Sequence, residues 1–166
     1  CSQPMFSLVP NQLAIVDVAT GRTRVPAPID RWFTQPRWSP DGRSVLALIE
    51  QSRVVNLSRI EVASGEVTPL TAGPRFDAGF AVSKQGRIVV LWGDDVTPYE
   101  LAALEQGRLR PLGLHNEWLA QKKRVRFDDI SFRSADGTTI DGFIVKPPDY
   151  VPGRRYPTIL RIHGGP

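Results

Sequence analysis

The sequence predicts two folds in series: all-β propeller blades over residues 1–115, then the first strands of an α/β domain over residues 116–166. Three observations carry that reading. A glycine-punctuated strand pattern recurs every 42 to 44 residues in the first part. A second pattern recurs in step with it. Beyond Asn116 the repeat stops, and the chain runs into an apolar stretch broken by His163-Gly164-Gly165-Pro166.

The first pattern is Leu13-Ala14-Ile15-Val16-Asp17-Val18-Ala19-Thr20-Gly21, which returns as Leu57-Ser58-Arg59-Ile60-Glu61-Val62-Ala63-Ser64-Gly65. A weaker third copy runs from Tyr99 to Leu109 through Gly107. The second pattern is Trp38-Ser39-Pro40-Asp41-Gly42-Arg43 and Val82-Ser83-Lys84-Gln85-Gly86-Arg87. Two interleaved registers with one period do not arise easily by chance. A strand-rich period of ~40–45 residues is the size of one four-stranded propeller blade.

Local chemistry agrees. Ser39-Pro40-Asp41-Gly42 places Pro second and Gly fourth, as a type I turn between two strands requires. Ala19-Thr20-Gly21 and Ala63-Ser64-Gly65 put glycine where a hairpin needs positive φ. No 3.6-residue period competes. The repeats amount to two to three blades, whereas closed propellers have ~4–8. An open arc leaves two blade faces wet, so the 166 residues by themselves are expected to aggregate or unfold in part.

Aromatic and acidic residues of this region suggest no site. Trp32, Trp38 and Trp92 are expected to pack between blades rather than to stack on bases or sugars. Asp94-Asp95 has no further ligand spacing and reads as a loop. His115 has no Cys or His neighbour at metal spacing. No metal and no cofactor is expected.

From Asn116 to Lys123 a short helical connector is expected, followed by two strands, Phe127 to Phe132 and Thr138 to Val145, around Ser134-Ala135-Asp136-Gly137. The proline-rich stretch Lys146 to Gly153 is a rigid loop. Tyr156-Pro157 opens a third, buried strand, Thr158 to Ile162, that ends at His163. An ordinary strand ending in a Gly-Gly-Pro turn is one reading of this end. The other is that glycines there let the backbone approach a developing negative charge.

The run Phe132-Arg133-Ser134-Ala135-Asp136-Gly137-Thr138, Gly142-Phe143-Ile144-Val145-Lys146-Pro147, Tyr156-Pro157 and His163-Gly164-Gly165-Pro166 resembles the prolyl oligopeptidase family of serine peptidases. Within it, the likeness is to the acylaminoacyl-peptidase and dipeptidyl-peptidase-like members. The resemblance implies a propeller ahead of an α/β-hydrolase domain, with the chain spanning the end of one and the start of the other. It implies a serine peptidase acting on short peptides, with the propeller restricting access to the site. By likeness, Gly165 offers its N–H to the oxyanion, Gly164 allows the tight approach, and His163 stands beside them. His163 precedes any nucleophile, and hydrolase order is nucleophile, acid, base, so it is not the triad base.

No Gly-x-Ser-x-Gly occurs in these residues. None of the triad is therefore present, and the chain reads as an internal piece of a longer peptidase that alone catalyses nothing. The alternatives are a non-catalytic β-propeller binding module and an esterase of the α/β-hydrolase class. The expected partners are peptide substrates and the remainder of the hydrolase domain.

Composition excludes other classes. The net charge of +4 divides as 12 Lys/Arg against 11 Asp/Glu before Asn116, and 9 against 6 from there on. Neither surplus makes a nucleic-acid stripe, and Lys122-Lys123-Arg124-Val125-Arg126 reads as a solvated connector. The longest apolar runs, Val45–Ile49 and Ile88–Trp92, are too short to span a membrane. No leader is visible, and with one cysteine there is no internal disulfide. A cytoplasmic location is expected, with a periplasmic or lipid-anchored one left open by Cys1-Ser2.

Overall fold

The computed structural model describes residues 10–162. The chain forms two compact units, Cys1–His115 and Asn116–Pro166.

The first unit is all β. β1 (Ile15–Val16) and β2 (Thr23–Arg24) form a short antiparallel pair. Two four-stranded meanders follow. The first is β3 (Trp32–Trp38), β4 (Ser44–Gln51), β5 (Val54–Glu61) and β6 (Val67–Pro69). The second is β7 (Phe76–Val82), β8 (Ile88–Gly93), β9 (Glu100–Glu105) and β10 (Arg108–Pro111). Within each meander all neighbours are antiparallel, and a single parallel pairing, Val55 with Phe76, joins the two. Each meander has the size and connectivity of one blade.

The repeat seen in sequence is a repeat of turns. Gly21, Gly65 and Gly107 sit in the outer hairpins β1–β2, β5–β6 and β9–β10. Gly42 and Gly86 close the inner hairpins β3–β4 and β7–β8. In both, the glycine N–H donates to the serine carbonyl three residues back at 2.9 Å. The glycine φ is +69° at Gly42, so the type I turn is followed by a left-handed residue that a side chain would strain.

Two cores lie on opposite faces of the first blade, because successive strand residues point to opposite sides. Val45, Ala47, Ile49 and Ile60 pack with Phe33, Leu13 and Ala27 in one. Leu46, Leu48, Val55 and Leu57 pack with Ile88 and Val90 of the second blade in the other, joined at its margin by Phe80 and Trp92. β4 is thus apolar on both sides, which explains its unbroken run Val45–Ile49. Fully buried side chains such as Leu57 and Ile60 each contribute about 1.5–3 kcal/mol relative to exposure.

Of Trp32, Trp38 and Trp92, Trp92 packs at the junction of the two blades. Trp32 and Trp38 lie on β3, which among the described residues pairs with β4, and Trp38 is 52% exposed.

The second unit opens with a 3-10 turn, Glu117–Gln121, where the short helical connector is expected. β11 (Phe127–Arg133) and β12 (Thr139–Val145) then pair antiparallel over seven positions. Their connection repeats the inner-hairpin turn: Gly137 N–H donates to the Ser134 carbonyl at 3.0 Å. The third strand expected over Thr158 to Ile162 is absent, and residues 155–162 join no ladder. Ile159 is 94% exposed. A β-branched run becomes a strand only where a neighbour completes its hydrogen bonds, and no described residue does so.

Candidate functional site

His163, Gly164 and Gly165, the oxyanion candidates, lie outside the described residues. What the structure does describe is the segment leading to them. Lys146 Nζ meets Asp128 Oδ2 at 2.6 Å, and Lys123 Nζ meets Asp149 Oδ1 at 2.5 Å. The Tyr150 and Tyr156 rings lie 5.4 Å apart, and Tyr156 Oη accepts the Val151 N–H at 3.0 Å. The two ion pairs tie the proline-rich loop to β11 and to the connector, and the tyrosine contacts close the chain on itself just ahead of the apolar run.

The densest buried polar cluster stands elsewhere, at the junction of the two blades. Asp77, the second residue of β7, is fully buried opposite Trp92 of β8. One carboxylate oxygen accepts the N–H of Leu57 in β5 at 3.1 Å and the hydroxyl of Thr71. The other accepts Arg75 Nε at 3.0 Å. The Arg75 guanidinium in turn lies 4.4 Å from the centre of the Trp92 ring. Thr71 Oγ1 accepts the same Leu57 N–H at 2.9 Å. A carboxylate engaged by three donors is a tie between blades rather than a base free to take a proton. Gln35 makes a second tie between the first strands, its amide donating to the Ala78 carbonyl at 3.0 Å. Both strands carry a register shift there, between Thr34 and Arg37 and between Asp77 and Gly79.

Sequence reasoning missed this cluster. The available signal was Asp77 itself, an acidic residue inside Phe76-Asp77-Ala78-Gly79-Phe80, since strands are poor in Asp unless it has work to do.

The remaining polar groups serve turns. Asp41 accepts Ser39 Oγ at 2.6 Å and the Arg43 N–H at 3.1 Å, which holds its carboxyl below the ordinary range. Asp136 accepts the Ser134 hydroxyl and the Thr138 N–H, and its pKa falls to about 2, the Ser134 bond being the larger cause. These Ser–Asp contacts cap turns; among the described residues no histidine completes them into a nucleophile with its base. Asp94 Oδ1 accepts the N–H groups of Val96 and Thr97 at 2.9 and 2.7 Å, the hydrogen bonding of a loop. His115 donates its backbone N–H to the buried Glu100 at 3.1 Å. Between the two inner-hairpin tips runs an open cleft of about 540 Å³, lined by Asp41, Arg43, Arg59, Glu61 and Lys84, of mixed charge. Among the described residues no group of three or more His, Cys, Asp or Glu is placed to hold a metal. No helix of the described residues is long and apolar enough to cross a membrane.

No protein-family model matches the sequence. The chain is 26% identical over 173 residues to dipeptidyl-peptidase 5 of Porphyromonas gingivalis, an alignment covering 93% of the chain and 23% of that protein. An acylaminoacyl peptidase solved in complex with Z-Gly-Gly-Phe-chloromethyl ketone superposes with a TM-score of 0.72 at 24% identity, over 89% of this chain and 22% of the other. The uncomplexed acylaminoacyl peptidase of Pyrococcus horikoshii gives 0.69 at 24% identity, over 83% and 21%. The chain therefore spans about a quarter of the length of the relatives it matches.

The all-β sheets are those of the propeller portion of acylaminoacyl-peptidase-like proteins. The homologues of the chain are peptidases of the prolyl oligopeptidase family, and the likeness runs along most of its length. It is a peptidase-related chain.

Proposed function

We propose that the chain is the propeller–hydrolase junction of a serine peptidase that hydrolyses peptide bonds of short peptides. The observation that carries this is the similarity to dipeptidyl-peptidase 5 over 93% of the chain, which bridges both units. In this reading residues 1–115 are the last blades of a propeller that restricts access to the site. Residues 116–166 are the connector and opening strands of an α/β-hydrolase domain. The β11–β12 hairpin supplies its first two strands, and Thr158 to Ile162 becomes the third once the later strands of the sheet stand beside it. Gly165, with Gly164 beside it and His163 adjacent, gives one N–H to the oxyanion, and nucleophile, acid and base follow Pro166. Peptide substrates accord with the acylaminoacyl peptidase solved with Z-Gly-Gly-Phe-chloromethyl ketone. A cytoplasmic location goes with the proposal and is checked by cell fractionation; recovery with membranes or periplasm overturns it.

A serine-directed fluorophosphonate probe on the full-length protein tests the activity. Labelling that disappears when a serine in a downstream Gly-x-Ser-x-Gly is replaced by alanine is the expected result. No labelling leaves a non-catalytic binding module, the reading favoured by the absence of that motif here. Ester turnover without peptide turnover leaves an esterase.

A further inference from the structure

The loop after β12 does more than connect, because its contacts form one continuous series. The Tyr150 N–H donates to the Pro147 carbonyl at 3.0 Å, closing a first turn. Val151-Pro152-Gly153-Arg154 makes a second, with the Arg154 N–H on the Val151 carbonyl at 3.2 Å and Gly153 at φ +82°. Pro second and a left-handed Gly third mark a type II turn, which reverses the chain. The reversal brings Tyr156 back beside Tyr150, ring centres 5.4 Å apart, and Tyr156 Oη accepts the Val151 N–H. Each ring also meets a cation. Lys146 Nζ lies 5.2 Å from the centre of the Tyr150 ring, and the Arg154 guanidinium 5.5 Å from that of Tyr156. Ring-on-ring and cation-on-ring contacts are both favourable at these distances.

Both ends of the loop are thereby fixed. Lys146 directly follows β12, and Asp128 of β11 holds its Nζ at 2.6 Å. Tyr156 directly precedes the run 157–162. The series Asp128, Lys146, Tyr150, Tyr156 thus leads from the β11–β12 hairpin to the start of that run without using a strand ladder. The run itself opposes a slip only weakly. Ile159 is apolar on one side and Leu160 and Ile162 on the other, so a shift of one residue still offers apolar side chains to both faces. Such a shift moves everything downstream by about 3.3 Å along the strand. An oxyanion donor must lie about 2.7–3.1 Å from the oxygen that it stabilises, so a slip of one residue removes it.

We infer that Tyr150 and Tyr156, with Lys146 and Arg154 on their rings, are positioning residues for the reaction. They set where the run 157–162 begins, and so where the N–H of Gly165, nine residues beyond Tyr156, is delivered. The inference rests on the oxyanion role proposed for Gly165 and adds the residues that hold it in register.

Fluorophosphonate labelling of the full-length protein tests it, read as a limiting rate and a half-saturating concentration. Attack of the serine on phosphorus, with fluoride leaving, loads negative charge on the phosphoryl oxygen that the same N–H stabilises. Tyr150 is 39% exposed, so a change there need not unfold the protein. Tyr150→Leu keeps apolar bulk and loses the ring stack. It is expected to lower the limiting rate about tenfold or more, with half-saturation and the denaturation midpoint near those of the wild type. Tyr150→Phe keeps the ring and is expected to stay within about twofold of the wild-type rate. An unchanged rate in Tyr150→Leu, an equal loss in Tyr150→Phe, a change confined to half-saturation, or a Tyr150→Leu protein that does not fold each overturns the inference and leaves the peptidase reading intact. Wild-type protein that takes no label overturns the peptidase reading, and the inference falls with it.

Discussion

Leu57 and Asp77 belong to different blades, and the backbone N–H of the first is held at 3.1 Å by the carboxylate of the second. The parallel pairing between the blades is one residue pair long, so side-chain ties and apolar packing hold the junction. Replacing Asp77 with alanine strands the largely buried Arg75 charge and leaves the Leu57 N–H to Thr71 Oγ1 alone. Removing one partner of a buried pair costs about 3–5 kcal/mol. Urea denaturation of the intact protein should show a loss of that size for Asp77→Ala, and a smaller one for Asp77→Asn, which keeps an acceptor.

Equivalent glycines should respond unequally. A Cβ on Gly65 would meet the Pro26 carbonyl oxygen at 1.9 Å, whereas one on Gly21 would meet nothing within 4 Å. Both have positive φ, so alanine at Gly21 should cost about 1–2 kcal/mol from backbone conformation alone. Gly65→Ala adds a clash with backbone and should cost clearly more. Thermal melts of the two variants compare them directly.

The β9–β10 hairpin turns on Gln106-Gly107, both left-handed, at φ +51° and +75°. Such a two-residue turn prefers Asn-Gly, because asparagine tolerates the left-handed region better than glutamine. Gln106→Asn should therefore stabilise the protein, by up to about 1 kcal/mol, read as a raised denaturation midpoint.

Asp136 gives a pH dependence with a definite sign. Its carboxyl titrates near 2 in the folded hairpin against a usual 3.8, so ionisation favours the fold. The contribution is fully present above pH 3.8 and is lost as pH falls toward 2. A carbon-detected NMR titration of Asp136 should show the depressed midpoint, and Ser134→Ala should move it back up.

Turn chemistry made most of the fold legible in advance. Gly42, Gly65 and Gly86 announce hairpins because positive φ is a local demand that neighbours cannot override. The Asp136-Gly137 hairpin was visible for the same reason. Thr158 to Ile162 looked like a strand by composition, yet a strand is a relation between segments, and this one has no described partner. Asp77 escaped notice because its role is fixed by a contact with Leu57, twenty residues earlier in the chain, that no local pattern encodes. His163, Gly164 and Gly165 stand out only by likeness to a family, and local sequence chemistry alone reads as an ordinary Gly-Gly-Pro turn.

The division of β4 between two cores has a consequence for how such an array can grow. Val45 and Leu46 are adjacent in the chain but belong to separate packing units. A packing unit is the gap between sheets, walled by the far side of one blade and the near side of the next. A pattern that recurs every 42 to 44 residues therefore supplies both walls of such a gap, one from each of two successive repeats. Each repeat has to present a front that fits the back of its neighbour, whatever its own side chains are.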